Sequence, residues 1–184
     1  RTESGLAPIR ETLAAALVNL SRPRENVRLW DPFCGSGTIA IEAALMMTNT
    51  APGLYRKFAA EKYAFLPKAI WEMARSEAKA NIKADTEFCA FASDIDEDVL
   101  KVARANIKRA GMEKYIKVFL KDATEIKSDG ERTTIVCNPP YGERLETVKT
   151  ARELYKKMGV TFRKLSPWQI YIITSDDEFE KFYG

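Results

Sequence analysis

Short apolar segments rich in β-branched residues alternate with helical patterns along this chain, and most of the short segments end at a polar motif. This alternation predicts βαβ units, and therefore a parallel sheet covered by helices on both faces. The predicted strands span residues 27–30, 88–93, 116–120, 133–137 and 168–174. Because the carboxyl ends of parallel strands share one edge, the polar motifs are expected to converge there. The sequence thus predicts a single Rossmann-like α/β domain with a doubly wound, mostly parallel sheet.

Apolar residues at helical spacing predict the helices between these strands. The first helix is expected to present one apolar face made of Ile9, Leu13, Ala16, Leu17 and Leu20. A later helix is expected inside an irregular insertion of about residues 48–85, from the four-residue repeat of Ile70, Ala74, Ala78 and Ile82. Folds of this kind often continue beyond a fifth strand, whereas this chain ends at Gly184. A fragment truncated after the fifth strand is therefore one interpretation.

Two further helices carry boundary or packing signals. Asp96 is a candidate N-terminal cap for the helix after the second strand, and Gly111 lies just past its predicted end. The most regular amphipathic pattern follows the fourth strand and comprises Ala151, Leu154, Tyr155, Met158, Phe162 and Leu165. Both helices are expected to pack against the sheet.

The composition favours a cytoplasmic globular protein. Hydrophobic residues make up 46% of the chain and charged residues 30%, and no apolar run approaches the roughly 20 residues that a bilayer requires. No signal peptide is visible at Arg1, and the three cysteines, Cys34, Cys89 and Cys137, lack both metal-ligand spacing and an even count. We therefore expect a reducing compartment, no membrane association and no metal. A net charge of +3 is too small by itself to indicate a nucleic-acid partner.

The chain contains no histidine. This excludes Ser-His-Asp and Cys-His nucleophilic systems and most catalytic zinc sites, which depend on imidazole. Methyl transfer from an activated cofactor remains compatible, because the cofactor carries the reactivity and the protein supplies placement and electrostatics.

The most informative motif is Asn138-Pro139-Pro140-Tyr141, directly after the fourth predicted strand. It combines an amide acceptor, a rigid turn that leaves a backbone carbonyl free, and an aromatic ring that can stack on a flat ligand. These are the groups needed to hold a planar amino group, so the motif points to amino-group methylation. A strand that simply ends in a proline-rich turn would look the same in isolation.

A glycine loop follows the first predicted strand. Residues 35–40 fit the pattern G-x-G-x-x-G/A, which serves dinucleotides as well as other cofactors. A dinucleotide site expects an acid about 20 residues further on, whereas the next acid at a strand end, Asp94, lies far beyond that spacing. Asp31, just before the loop, suits a cationic amino group and would repel pyrophosphate. The pattern therefore favours S-adenosylmethionine over NAD, although Asp31 and Asp94 could also only cap turns.

The order of four motifs carries a family resemblance: D-P-F-C-G-S-G-T, then S-D-I-D, then K-D-A, then N-P-P-Y-G-E-R-L. The chain resembles the class I S-adenosylmethionine-dependent methyltransferases, and most of all the ribosomal RNA large-subunit guanine-N2 methyltransferases that also contain an RNA-binding THUMP domain. The similarity includes the opening residues 7–16, the insertion at residues 51–54 and the extension at residues 142–145. Together these features narrow the resemblance from NPPY methyltransferases in general to the ribosomal RNA group.

The resemblance implies a role for each matching residue. The cofactor-binding set would be Asp31, Phe33, Gly35, Gly37, Thr38, Asp94, Ile95, Asp122 and Ala123. Within it, the glycine loop would cradle the methionine part, Asp94 the ribose and Asp122 the adenine amino group. The catalytic set would be Asn138, Pro139, Pro140 and Tyr141, which hold a flipped guanine by its N2 amino group.

Several interpretations stay open from the sequence. An NPPY motif also occurs in methyltransferases of adenine N6 and of protein glutamine, the glycine loop also occurs in nicotinamide-dependent oxidoreductases, and the fold could persist as a catalytically silent RNA-binding scaffold. The resemblance implies that a THUMP domain delivers ribosomal RNA, and no such segment precedes Arg1 in this sequence. RNA affinity of these residues alone, and their oligomeric state, are not determined by the sequence.

Overall fold

The computed structural model describes residues 9–141 and 145–184, and the side chains of residues 9–141 and 147–184. Five strands are present in these residues: β1 (Arg28–Asp31), β2 (Ala90–Asp94), β3 (Ile116–Leu120), β4 (Thr133–Cys137) and β5 (Gln169–Ile172). They form one sheet in the order β3-β2-β1-β4-β5, and all four pairings are parallel. The predicted doubly wound α/β fold is confirmed.

The described residues contain six α-helices: α1 (Glu11–Ser21), α2 (Thr38–Met47), α3 (Lys68–Ala80), α4 (Glu97–Ala110), α5 (Leu145–Phe162) and α6 (Phe179–Tyr183). Three short 3-10 turns add Ala59–Lys62, Ala123–Glu125 and Arg163–Leu165. None of the helices in this part of the chain has both the length and the apolar character of a membrane span.

The alternation of side chains along the strands builds two hydrophobic cores, one on each face of the sheet. Leu29 and Val136 point into the core that contains α1, α2 and α4. Trp30 and Ile135, their immediate neighbours in sequence, belong to the opposite core, which contains α5 and α6. Because successive strand residues point to opposite faces, a strand buried on both sides needs apolar side chains at consecutive positions. This explains why Leu29 and Trp30 in β1, and Ile135, Val136 and Cys137 in β4, are all apolar.

Local sequence signals determine where α4 begins and ends. The Asp96 carboxylate accepts hydrogen bonds from the backbone N–H groups of Asp98 and Val99, which otherwise have no partner in the first turn. Gly111 then closes the helix with a φ of 69°, in the left-handed region that glycine adopts without strain. Both predicted boundaries are confirmed. The predicted apolar face of α5 is also confirmed, since Tyr155 and Met158 are fully buried.

The predicted apolar face of α1 is partly wrong. The helix buries Ala14, Val18 and Ser21, while Leu13 and Leu20 are exposed to solvent. Its buried residues share a core with the alanines of α2. Small side chains on both helices allow a close approach, so the large leucines lie outside the contact.

The insertion contains the expected helix. Helix α3 forms close to its predicted place, but none of its side chains is fully buried, and Ile70, which begins the predicted apolar repeat, is 51% exposed. The partly buried side chains of α3 are Trp71, Arg75 and Ala78, and Trp71 packs on the Phe58 ring of the same insertion. The four-residue repeat therefore predicted the helix correctly, although the repeat begins at an exposed residue.

We predict that Gly159→Ala destabilises the protein. A methyl group at this position of α5 would overlap the backbone carbonyl of Tyr183 in α6, so a main-chain segment has to move. Alanine gains about 1 kcal/mol of helix propensity over glycine, but overpacking typically costs about 1 to 3 kcal/mol. We expect a net loss in the free energy of unfolding, measured by urea denaturation. Val160→Ala, at an exposed position of the same helix, is the control. An unchanged stability of Gly159→Ala would refute the close contact.

Candidate active site

Polar residues follow four neighbouring strands at the carboxyl edge of the sheet. Asp31 ends β1, Asp94 ends β2, Asp122 comes two residues after β3, and Asn138 directly follows β4. Since β1 pairs with both β2 and β4, Asp31 lies on the strand between Asp94 and Asn138. The structure therefore brings together the four groups that the sequence singled out.

The glycine loop connects β1 to α2 through two left-handed residues. Gly35 and Gly37 have φ angles of 50° and 84°, which disfavour any side chain. A methyl group built on Gly35 would meet no atom within 4 Å, so the loop presents open backbone on that side. Asn106 of α4 donates a hydrogen bond from Nδ2 to the Ser36 carbonyl at 3.0 Å and holds the loop from behind. This geometry allows a ligand to approach the main chain closely.

Asp31 is the most unusual titratable group of the site. Its side chain is only 1% exposed and accepts a hydrogen bond from the Phe33 backbone N–H at 3.1 Å. Burial raises the pKa of Asp31 to about 8, against the lowering effect of the Phe33 N–H, and the Asp94 charge raises it slightly more. A buried carboxylate is stabilised by a nearby cation. The residue therefore fits a ligand with a positive charge, such as the amino group of S-adenosylmethionine.

Asp94 joins the end of β2 to the glycine loop. Its Oδ2 accepts from the Gly35 backbone N–H at 3.1 Å, and its Oδ1 accepts from the Asp96 N–H at 3.2 Å. A carboxylate oxygen can accept more than one hydrogen bond, so both oxygens keep capacity for a ligand hydroxyl. Ile95 beside it is 71% exposed, and its apolar surface suits a flat ring.

Asp122 and Ala123 lie after β3 and differ in what they can offer. The Asp122 Oδ1 caps the following 3-10 turn, accepting from the Thr124 N–H and hydroxyl, both at 2.7 Å. The second carboxylate oxygen has no hydrogen-bond partner among the described residues. Ala123 is 1% exposed and packs in the same core as Trp30. The Ala123 side chain therefore supports the core and presents no surface to a ligand.

Two other predicted cofactor residues have local partners. Phe33 packs partly against the core below the sheet edge, and its backbone N–H is the donor to Asp31. The Thr38 hydroxyl shares a 2.9 Å hydrogen bond with Ser36. Thr38 also borders a cavity of about 480 Å³ between α1, α2 and α4, which includes Arg10 and Glu42. This cavity was not expected from the sequence.

The Asn138-Pro139-Pro140-Tyr141 segment leaves β4 at the centre of the site. Pro139 is buried, and the other three residues are partly exposed. Cys137, which precedes Asn138, has a thiol pKa held well above its usual value by burial and additionally by the Asp31 charge, so the Asp31 carboxylate lies nearby. The Asn138 side chain has no hydrogen-bond partner among the described residues, which leaves its amide free for a ligand. Residues 142–144, the extension of the motif, lie outside the described residues, as do residues 1–8.

Tyr155 is a site residue that the sequence reading missed. It appeared only as a member of the apolar face of α5, and it is indeed fully buried. Its hydroxyl, however, donates a 3.1 Å hydrogen bond to the Pro140 carbonyl. Its ring stands edge-on to Phe179 at 4.7 Å between centroids. Tyr155 thus fixes the proline turn to the core beneath it. No periodicity could have revealed this, because it depends on the far end of the side chain.

A second cavity lies beside Tyr141, on the side of β5. Its volume is about 360 Å³, and it is lined by Tyr141, Val148, Arg152 and residues 175–178. The Arg152 guanidinium pairs with Asp176 and Glu178. Asp177 has neither an ion pair nor a hydrogen bond in the described part of the chain. The cavity therefore combines an aromatic wall with a free carboxylate.

The fold and these strand-end groups together define a class I methyltransferase domain. The chain belongs to the RMKL-like methyltransferase domain family, whose model matches residues 1–184. The expected family resemblance is thereby confirmed.

Similar proteins have related names and are longer. The provisionally named RNA methyltransferase YpsC of Bacillus subtilis is 43% identical over 184 residues, which are 100% of this chain and 48% of that protein. Ribosomal RNA large subunit methyltransferase K/L of Aliivibrio salmonicida is 46% identical over 167 residues, 86% of this chain and 23% of that protein. The chain thus spans about half of the first relative and about a quarter of the second.

A solved structure supports the fold and the kind of cofactor found with it. SMU.472, complexed with S-adenosylhomocysteine, superposes with a TM-score of 0.91 at 36% identity, covering 100% of this chain and 48% of that one. S-adenosylhomocysteine is what S-adenosylmethionine becomes after losing its methyl group. The class of cofactor expected from the sequence is therefore found in a close structural relative.

We predict that Asp31→Asn stabilises the ligand-free protein in a pH-dependent way. Because the pKa of Asp31 is about 8 in the folded protein, against an ordinary aspartate pKa of 3.8, the native state holds a proton that the unfolded state releases. Native stability therefore falls between about pH 4 and 8, by about 1 kcal/mol per pH unit. Asparagine does not titrate, so the stability difference between variant and wild type should grow over this range and level off above pH 8. Urea denaturation across the range tests this, and a pH-independent difference would contradict it.

Proposed function

We propose that this domain transfers a methyl group from S-adenosylmethionine to the exocyclic N2 amino group of a guanine in large-subunit ribosomal RNA. The observation that carries the proposal is the placement of Asn138 and its proline turn at the sheet edge, on the strand next to the buried Asp31 carboxylate. The names of the K/L relatives and of YpsC support RNA as the substrate class.

On the cofactor side, the chain supplies three acids and an open loop. Asp31 binds the amino group of the methionine part, and its burial makes this cation the natural replacement for the proton it holds when free. Asp94 accepts from the ribose hydroxyls, with Ile95 against the adenine ring. The free oxygen of Asp122 accepts from the adenine amino group. Bound in this way, S-adenosylmethionine supplies an activated methyl group to the neighbouring strand end.

On the substrate side, the proline turn orients the nucleophile. The Asn138 amide oxygen and the Pro139 carbonyl accept the two hydrogens of the amino group, which directs the nitrogen lone pair toward the methyl carbon. The same acceptors stabilise the positive charge that develops on this nitrogen as the N–C bond forms and the C–S bond breaks, and the nitrogen then loses one proton to solvent. Tyr141 stacks on the base, which must leave its helix to reach the turn. Placement of this kind contributes on the order of 7 to 11 kcal/mol to a rate acceleration.

The cavity beside Tyr141 favours guanine over adenine. The Watson–Crick edge of guanine offers N–H donors at N1 and N2, whereas adenine presents an acceptor at N1. The free Asp177 carboxylate in this cavity is an acceptor and matches the guanine N1–H donor, which remains once both amino hydrogens are bound by the turn. An adenine in the same position would place its N1 lone pair against the negative charge of Asp177.

The product identifies the function. The intact protein should incorporate label from S-adenosylmethionine into unmodified large-subunit ribosomal RNA, and digestion should release N2-methylguanosine. Asn138→Ala should lower turnover roughly a hundredfold through lost orientation, while its calorimetric affinity for S-adenosylmethionine stays unchanged. N6-methyladenosine or methylated protein as the product would favour the alternative amino-methyltransferases. RNA binding without any product would favour a silent scaffold. An equal loss of cofactor binding in Asn138→Ala would refute the role given to that residue.

We predict that Tyr155→Phe lowers kcat without changing the affinity for S-adenosylmethionine. The variant removes the hydrogen bond to the Pro140 carbonyl and keeps the buried ring, so the turn is held less firmly in its reactive orientation. A lost hydrogen bond of about 1 kcal/mol corresponds to a roughly fivefold decrease.

Tyr115→Phe is the matched control, because Tyr115 also donates to a backbone carbonyl, that of Ala84. Tyr115 precedes β3 and so lies away from the carboxyl ends of the strands. Both variants should lose similar stability, and only Tyr155→Phe should lose turnover. An equal kcat in the two variants would show that the Tyr155 hydroxyl has only a structural role.

A further inference from the structure

The insertion between α2 and β2 exposes large aromatic side chains. We define residues 52–80 as the insertion arm, which contains the 3-10 turn Ala59–Lys62 and helix α3. Tyr55 is 82% exposed, Phe65 78% and Tyr63 51%, and the rings of Tyr63 and Phe65 stack with centroids 5.5 Å apart. Such a concentration of exposed rings is unusual for a surface without a ligand.

The arm holds this shape through its own contacts. Phe58 stacks on Trp71 of α3 at 5.7 Å between ring centroids, and Gly53 leaves room for the Phe58 ring. Arg75 pairs with Glu61 at 2.6 Å and also donates to the Arg56 carbonyl. The exposed rings are therefore presented on an internally braced support.

Basic side chains are interleaved with these rings. Arg56 lies over the Phe58 ring, with its guanidinium carbon 5.6 Å from the centroid. Lys57, Lys62 and Lys68 are exposed, and none of them has an ion pair with another described residue. Between residues 55 and 68 the only acid is Glu61, which Arg75 neutralises. The arm thus combines free positive charge with stacking surfaces.

We propose that the insertion arm is a binding surface for single-stranded RNA, separate from the catalytic turn. Bases would stack on Tyr55 and on the Tyr63–Phe65 pair, and phosphates would contact Lys57, Lys62 and Lys68. Aromatic rings interleaved with cations are the arrangement by which proteins bind single strands without reading sequence. The proposal rests on the proposed function in taking RNA as the partner, and it places the affinity for RNA outside the motifs that bind cofactor and target base.

The position of the arm predicts which kinetic constant it affects. Helix α2 begins at the glycine loop and runs ten residues away from it, about 15 Å along its axis. The arm starts beyond that end. Contacts made there should therefore influence the KM for RNA and leave kcat unchanged.

Titration of the intact protein with a fluorescein-labelled oligouridylate tests this surface by fluorescence anisotropy. The double variant Tyr63→Ala/Phe65→Ala should weaken binding roughly tenfold or more, through the loss of base stacking. Lys62→Ala/Lys68→Ala should also lower the slope of log affinity against log salt, by about 0.7 for each lost phosphate contact. Leu20→Ala and Lys164→Ala, at exposed positions outside the arm, should bind as the wild type does.

Melting temperature and S-adenosylmethionine affinity of every variant should match the wild type, so that lost binding is not lost folding. If Tyr63→Ala/Phe65→Ala bound oligouridylate with the affinity of the wild type, the proposal would be overturned. The proposal would also be overturned if this double variant kept its RNA binding and changed its molar mass in light scattering, because the rings of the arm would then contact another protein molecule.

The titration contains no cofactor and measures no product, so its outcome is separate from the identity of the methylated nucleoside. Loss of oligouridylate binding in a protein that methylates no RNA would refute the proposed function alone. Formation of N2-methylguanosine with an unchanged KM for RNA in the arm variants would refute the arm alone.

Discussion

The parallel pairing of β1 with β2 on one side and β4 on the other is the constraint on which the site depends. In this central strand, Leu29 and Trp30 anchor opposite cores, so its register cannot slip by one residue without exposing both. That register places Asp31 at the carboxyl edge. The ends of β2 and β4 then bring Asp94 and Asn138 to its two sides. Packing on both faces of one short strand thus determines the relative positions of acids that are distant in sequence.

Asp31 shows how the site opposes the stability of the fold. A carboxylate that is 1% exposed and has one backbone donor loses most of its hydration without an ion-pair partner in the described residues. The protein then either protonates it or tolerates a buried charge. Both are unfavourable for the free domain, and a bound cation would supply the missing partner in place of the proton. The two neighbouring cores have to offset this destabilisation.

Features that depend on local sequence could be predicted, and features that depend on tertiary contact could not. Asp96 and Gly111 were predicted correctly as the two ends of α4, because helix capping depends on residues within one turn. The positions of the strand-end acids could also be predicted, because each acid follows an apolar run and parallel strands end at the same edge of the sheet. The buried face of α1 could not be predicted, because helices that meet through small residues such as Ala14 leave larger ones outside the contact. Tyr155 was predicted to lie in the core. This is correct for its ring, but the helical pattern gave no information about the partner of its hydroxyl.

The strand order divides the carboxyl edge of the sheet into two parts that differ in how rigidly they are held. The part formed by β1, β2 and β3 is open at Gly35 and exposes Ile95, so it accommodates a ligand that must enter and leave. The part formed by β4 and β5 holds its turn with two prolines and with the Tyr155 hydrogen bond. Because a displacement reaction requires the nucleophile to be aligned with the methyl group, rigidity is most useful on the side that orients the nucleophile. The Tyr155 hydroxyl, bound to the Pro140 carbonyl, thus fixes the turn that follows Asn138.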